Sequence, residues 1–277
     1  MDTAIERSRP GDGQDPARQS KVELRSVGLR YLTMDGETEA LRGVSLAVQP
    51  CEFVSIVGQS GCGKSTLLSL IAGIMPATEG DVLVDGRPVS GPSPQVAYML
   101  QSDYLFEWRT IFENVMLGPE IQGLDIGRAR ERAKELLHRY GLGDFMSHYP
   151  HQLSGGMRQR AALARTLVTE PDILLLDEPF SALDFQTRLA LSDEVGIILR
   201  REQKTVILVT HDISEAISMT DRVVVMTRRP GRIRAEHEIS FPSAGAERPT
   251  PFNARNTQEF GGYFDQIWNE LDIYVGG

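Results

Sequence analysis

The sequence predicts an α/β fold: a mostly parallel core sheet, a small antiparallel β subdomain at its N-terminal end, and an inserted helical subdomain. Three observations carry this. Short apolar runs at 53–57, 81–84, 96–100, 173–176, 206–209 and 223–226 have the length of buried strands, and helical spacers separate them, as in parallel strand–helix–strand units. A glycine-rich stretch from Gly58 to Ser65 joins one run to an apolar-periodic helix. Between Gln101 and Thr166 the pattern turns helical.

The elements follow in order. Over 22–46, alternating stretches broken at Asp35 and Gly36 read as two antiparallel strands around a tight turn. The run 53–57 reads as a buried strand entering the glycine-rich loop, and a helix through Leu67, Leu68 and Leu70 follows it. In the inserted region Ala133, Leu136, Leu137 and Tyr140 share one helical face, and Gly141 marks its stop. Beyond Arg234 the chain is polar and proline-containing. Then Phe260, Tyr263, Phe264, Ile267, Trp268 and Leu271 recur at helical spacing, an amphipathic helix. The expected organisation is a flexible N-terminal tail at 1–20, one α/β domain over 21–235 with its helical subdomain at about 102–166, and a C-terminal extension over 236–277.

Composition narrows the function classes. With 277 residues, 41% of them hydrophobic, the chain fits one large α/β domain or two modest ones, with a substantial core. A net charge of −9 argues against a nucleic-acid partner, which needs a basic footprint. Two cysteines, Cys51 and Cys62, make no disulfide framework and suit a reducing compartment. No run approaches the roughly 20 apolar residues that cross a bilayer. The first 20 residues lack the apolar core of a signal peptide, so any transmembrane path is expected in another chain.

The chemistry concentrates in a few segments. Gly58, Gln59, Ser60, Gly61, Cys62, Gly63, Lys64, Ser65 and Thr66 fit the phosphate-loop pattern GxxxxGK[ST]. Its glycines let backbone N–H groups approach phosphate oxygens while the next helix points its positive end inward. Lys64 is expected at the β and γ phosphates of ATP, and the Ser65 hydroxyl on Mg²⁺. Asp177 ends an apolar strand and is expected near the metal, through water. Glu178 follows as candidate general base, although the pair could also merely cap the strand before Pro179. Ser154, Gly155 and Gly156 stand where a helix begins and form a second anion site. Cys62 reads as a small loop residue; alternatively its place at a helix N-terminus lowers its pKa, so that alkylation inhibits and MgATP protects.

The stretch Leu153, Ser154, Gly155, Gly156, Met157, Arg158, Gln159, Arg160, shortly before Asp177 and Glu178, resembles the LSGGQ signature and Walker B segment of ATP-binding cassette (ABC) proteins. With the phosphate loop, the resemblance spans about 22–234 and implies the P-loop NTPase fold of ABC ATPases. It implies that His211 is the switch histidine at the γ phosphate, that Gln101 is the Q-loop glutamine in the metal or water shell, and that Tyr31 stacks on adenine. Outside the resemblance, these are a polar histidine, a surface glutamine and a strand tyrosine. It further implies that Ser154–Gly156 serve the ATP of a neighbouring protomer, so two copies meet head to tail, and that Ser181, Ala182, Leu183 and Asp184 form the D-loop across that seam. Met157 stands where glutamine is usual.

Within the family, Asp103 to Thr110, Glu113 to Val115, Arg228 to Ile233 and the late helix with Ile267 and Trp268 resemble the nitrate, sulfonate and taurine importer branch. Phe106 and Glu107 depart from its leucine and proline. The branch implies a homodimer, peripheral at the cytoplasmic face of the inner membrane, beneath transmembrane permease subunits fed by an external solute-binding protein. Two other readings compete with this one. A soluble ABC ATPase acting on DNA or ribosomes is disfavoured because no coiled-coil insertion, zinc element or paired cassette appears. A non-catalytic regulatory subunit is opposed by intact Lys64, Asp177, Glu178 and His211.

Overall fold

The computed structural model describes residues 20–33, 36–181, 183–245 and 247–271. All of the expected N-terminal tail but Ser20 lies outside them, as do Asp35 and Ala182. In chain order the strands are β1 (Val22–Thr33), β2 (Gly36–Val48), β3 (Phe53–Val57), β4 (Glu79–Val84), β5 (Arg87–Pro88), β6 (Val96–Met99), β7 (Ile173–Asp177), β8 (Thr205–Thr210), β9 (Arg222–Met226) and β10 (Ile233–Glu238). The α-helices are α1 (Lys64–Ile71), α2 (Ile111–Gln122), α3 (Ile126–Arg139), α4 (Gly155–Leu167), α5 (Phe185–Arg201), α6 (Ile213–Met219), α7 (Pro251–Ala254) and α8 (Gln258–Glu270).

The continuous apolar runs make a six-stranded sheet in the order β10-β9-β3-β8-β7-β6. Strands β9, β3, β8, β7 and β6 run parallel, and β10 lies antiparallel at the edge. Every residue of β3, β7 and β8 is buried, as expected of parallel strands covered on both faces. One face packs on α2 to α5 through residues such as Ile111, Leu136, Leu163 and Leu191. The other meets α1 and the antiparallel sheet.

That second sheet has the order β2-β1-β4-β5, which corrects the sequence expectation for 81–84. The segment joins β1 antiparallel rather than the parallel core. Asp85 and Gly86 both have positive φ, 48° and 70°, and make the two-residue turn that returns β4 along β5. A hairpin cannot supply a parallel crossover.

The expected boundary at 235 falls inside β10. This edge strand alternates half-buried and exposed residues, so it lacks the apolar run that revealed its neighbours. In the helical subdomain, Thr110 Oγ1 accepts from the Glu113 N–H at 3.3 Å and the Glu113 carboxylate accepts from the Thr110 N–H at 2.8 Å, a reciprocal cap that starts α2. Ala133, Leu136, Leu137 and Tyr140 are fully buried, and Gly141 (φ 68°) follows the C-cap of α3. The late amphipathic pattern is α8, which packs on α6 through fully buried Ile267.

Candidate active site

The phosphate loop lies between β3 and α1, where a buried strand delivers the chain to a helix N-terminus. Gly63 caps α1 at φ 106°, in the region that favours glycine, and a Cβ there would stand 2.7 Å from Leu41 Cδ2. Lys64 is buried and its Nζ donates to the Gly58 and Gln59 carbonyls at 2.8 and 3.1 Å. Ser65 Oγ donates to Asp177 Oδ1 at 3.0 Å, and Tyr98 Oη donates to Asp177 Oδ2 at 3.1 Å. Burial pushes the Asp177 carboxyl above its ordinary range, while these two hydrogen bonds pull it down.

Glu178 turns away from the strand. Its φ of 46° is left-handed for a non-glycine residue, and its N–H donates to the Val209 carbonyl at 2.8 Å. Such a conformation costs about 1–3 kcal/mol and persists where the surroundings over-determine it. Glu178 Oε2 receives the Gln101 amide at 3.1 Å and lies 3.2 Å from His211 Nδ1. Parallel pairing of β6, β7 and β8 brings these three strand-end residues together.

A cleft of about 500 Å³ opens there, lined by Ser60, Gly61, Gly63, Lys64, Ser65, Thr66, Gln101, Glu178 and His211, joined by Ala40 and Arg229. Backbone amides, Lys64 and Arg229 supply the cationic character that a polyphosphate needs. The carboxylate of Glu178, held between an amide and an imidazole, can orient and deprotonate a water.

Other expected residues stand apart from the cleft lining. Tyr31 is half-buried, its hydroxyl 3.2 Å from Thr66 Oγ1. Ser154 caps α4, accepting from the Met157 N–H at 3.4 Å, and with Gly155 and Gly156 it is not among the cleft-lining residues. Arg158 of the same helix pairs with Asp103 at 3.0 Å, and Arg165 donates to the Asp103 carbonyl at 2.6 Å, tying α4 to the loop after Gln101.

Cys62 corrects one expectation. The thiol is buried, and burial raises its pKa, outweighing Lys64 and the local N–H groups that lower it. The activated-thiol alternative therefore falls. In native protein a thiol reagent is expected to label exposed Cys51 at least about tenfold faster than Cys62, a ratio that mass spectrometry of time-quenched samples measures.

Sequence reasoning missed Tyr98, Ala40 and the structural weight of Gly231. Tyr98 lies three residues before Gln101 on the half-buried strand β6, a position where a phenol benefits from a partner. Gly231 donates its N–H to the Ala40 carbonyl at 2.8 Å, and a Cβ there would lie 2.1 Å from the Cys62 carbonyl oxygen. Gly231→Ala should push the phosphate loop and raise KM for ATP about tenfold, from an overpacking strain of about 1–3 kcal/mol. Steady-state kinetics check this; an unchanged KM would mean that the Arg228–Ile233 turn yields instead.

Comparison with known proteins agrees with this geometry. The ABC transporter family model matches residues 41–181. An uncharacterized ABC transporter ATP-binding protein of Bacillus subtilis (strain 168), YtlC, is 46% identical over 242 residues, spanning 87% of this chain and 92% of its own. The taurine import ATP-binding protein TauB of Roseobacter denitrificans is 36% identical over 261 residues, 92% of this chain and 97% of its own. Among solved structures, a dimeric ATP-binding cassette in a post-hydrolysis state bound to ADP and Pi superposes with a TM-score of 0.71 at 32% identity, covering 79% of this chain and 99% of that one. The cassette cbiO1 from Clostridium perfringens, part of the cbiONQ transporter complex, gives 0.70 at 27% identity, over 80% and 89% of the two chains. With its phosphate loop, its cleft and these relatives, the chain belongs to the ABC transporter family, as an ATP-binding subunit and ABC-type ATPase.

Proposed function

We propose that this ATPase energises the import of a small solute of the nitrate, sulfonate or taurine class. What carries the reading is the extent of the likeness to taurine import proteins. It covers 92% of this chain and 97% of one such relative, so it is not confined to the nucleotide-binding motifs that cassettes share. In the proposed cycle Lys64 and the loop amides hold the β and γ phosphates, Glu178 takes the proton of the attacking water, and Gln101 and His211 orient both. Tyr31 is the proposed adenine contact.

Mg²⁺ fits the same corner. Ser65 Oγ and the Asp177 carboxylate offer hard oxygen donors side by side. Among the described residues no cluster of three or more His, Cys, Asp and Glu side chains gathers as a metal cage, which suits an ion that takes most of its ligands from phosphates and water. When bound it would neutralise phosphate charge.

Ser154, Gly155 and Gly156, at a helix N-terminus outside the cleft lining, suit the γ phosphate of a second copy, in a head-to-tail dimer with two shared sites and the 181–184 segment along the seam. A permease surface is proposed around Trp108, which is 74% exposed and stacks on Phe106 at 4.7 Å. Buried Asn114 fixes that turn, its amide donating to the Phe106, Arg109 and Thr110 carbonyls. Rigid exposed aromatics make good anchors. Among the described residues no helix is long and apolar enough to cross a membrane, so the proposed place is peripheral, at the cytoplasmic face of the inner membrane beneath the permease. An external solute-binding protein would deliver the solute. Isolation of the tagged chain from native membranes, with mass spectrometry of its companions, tests this. A multispanning permease is expected, whereas ribosomes, nucleic acid or soluble proteins alone would overturn the transport reading.

A further inference from the structure

The C-terminal extension reaches the nucleotide site from behind at two points. The first is the end of α8, where the last carbonyls of a helix have no partner within it. One of these, the carbonyl of Leu271, accepts from Gln59 Nε2 at 3.0 Å. Gln59 is the second residue of the phosphate loop, and its own carbonyl accepts from Lys64 Nζ. The Leu271 side chain is buried with Val57, directly before Gly58, and with Ile213, two residues after His211.

The second is electrostatic. Arg255, just after α7, is half-buried, with its Nε buried and without a hydrogen-bond partner among the described residues. Its charge acts on Asp212, Glu215 and Asp193, with Arg188 in the same charge cluster. Asp212 and Glu215 frame the turn that carries His211. Thr210 Oγ1 accepts from the Asp212 N–H at 3.1 Å, Asp212 Oδ1 accepts from the Glu215 N–H at 3.1 Å, and Arg188 donates to Asp212 Oδ2 at 3.3 Å. Glu215 is 3% exposed, and a buried carboxylate depends strongly on the cations around it. Burial pushes the Glu215 carboxyl up to about 7, while the charges of Arg188 and of Arg255, the latter in the extension, pull it down.

We infer that the C-terminal extension is a positioning element of the ATP site, with Gln59 steadying the phosphate loop and Arg255 steadying the His211 turn against one docked segment. The inference rests on the ATP site described above and is independent of the solute carried. Apolar packing on α6 would dock α8 without the Gln59 bond or the Arg255 charge. These two act on the two halves of the site, where displacements well under 1 Å change catalysis.

Steady-state ATP hydrolysis and thermal unfolding of the full chain test it, using Gln59→Leu, Arg255→Leu and Arg255→Lys. Gln59→Leu is expected to raise KM for ATP about fivefold with kcat within about twofold, the size of one lost hydrogen bond. Arg255→Leu is expected to lower kcat about tenfold with KM within about twofold, and Arg255→Lys, which keeps the charge, to recover at least about half of kcat. A merely structural role would lower the melting temperature of the variants without separating KM from kcat. Gln59→Leu with unchanged KM, or Arg255→Leu with unchanged kcat, overturns the inference. If Arg255→Leu does not fold, the Gln59→Leu result decides alone.

Discussion

Glu178→Gln should bind ATP within a few-fold of the parent and lose about 10² to 10⁴ in kcat, the usual contribution of a general base. The substitution preserves shape and can still meet Gln101 and His211, whose contacts converge on the single oxygen Oε2. It removes the basicity. With hydrolysis blocked, the ATP-bound dimer should persist, visible as a stable species of twice the monomer mass in size-exclusion chromatography with MgATP. Near-normal turnover would remove Glu178 from the role of base and leave its left-handed backbone without a catalytic account.

Lys64→Ala should have an equally large effect on a different constant. The ammonium is buried and already bonded to two loop carbonyls, so in the proposed role it would meet phosphate from a desolvated position where charge-assisted bonds are strong. Its loss should weaken ATP binding by about 10² to 10³, corresponding to the 2–5 kcal/mol of a truncated buried charge pair. Titration calorimetry measures this directly. Together the two variants separate binding from chemistry: Lys64→Ala fails to fill the site, and Glu178→Gln fills it without turnover.

Much of this site is legible in the sequence because its motifs are local. Gly58 to Ser65 must be a strand–loop–helix corner for its glycines to make sense, and Asp177 and Glu178 follow a run that has nowhere to go but the core. Parallel pairing then brings Gln101, Glu178 and His211 together, so three separate strand ends become one cluster. Other features are not local. Strand β4 carries the same apolar residues as a core strand, and only the Asp85–Gly86 turn says that it folds back antiparallel. Strand β10 is amphipathic and polar at the sheet edge, so the expected domain boundary cuts through it. At Cys62 the local rule, a helix N-terminus, lowers the pKa, whereas burial raises it and wins. Nor could spacing foresee that Gln59 meets the carbonyl of Leu271, 212 residues away, because a side-chain-to-backbone contact leaves no periodic trace.

Hydrolysis at this site is proposed to move a solute inward. This can be tested by label release from proteoliposomes holding the complex isolated with this chain, its ATPase subunits facing the outer bath, and loaded inside with purified solute-binding protein and one radiolabelled candidate: taurine, an alkanesulfonate, nitrate or a pyrimidine precursor. Because inward movement in the cell becomes exit from such vesicles, external MgATP should drive loss of one label from the lumen, and the Glu178→Gln complex should not. Brisk ATP hydrolysis with every label retained would contradict the account.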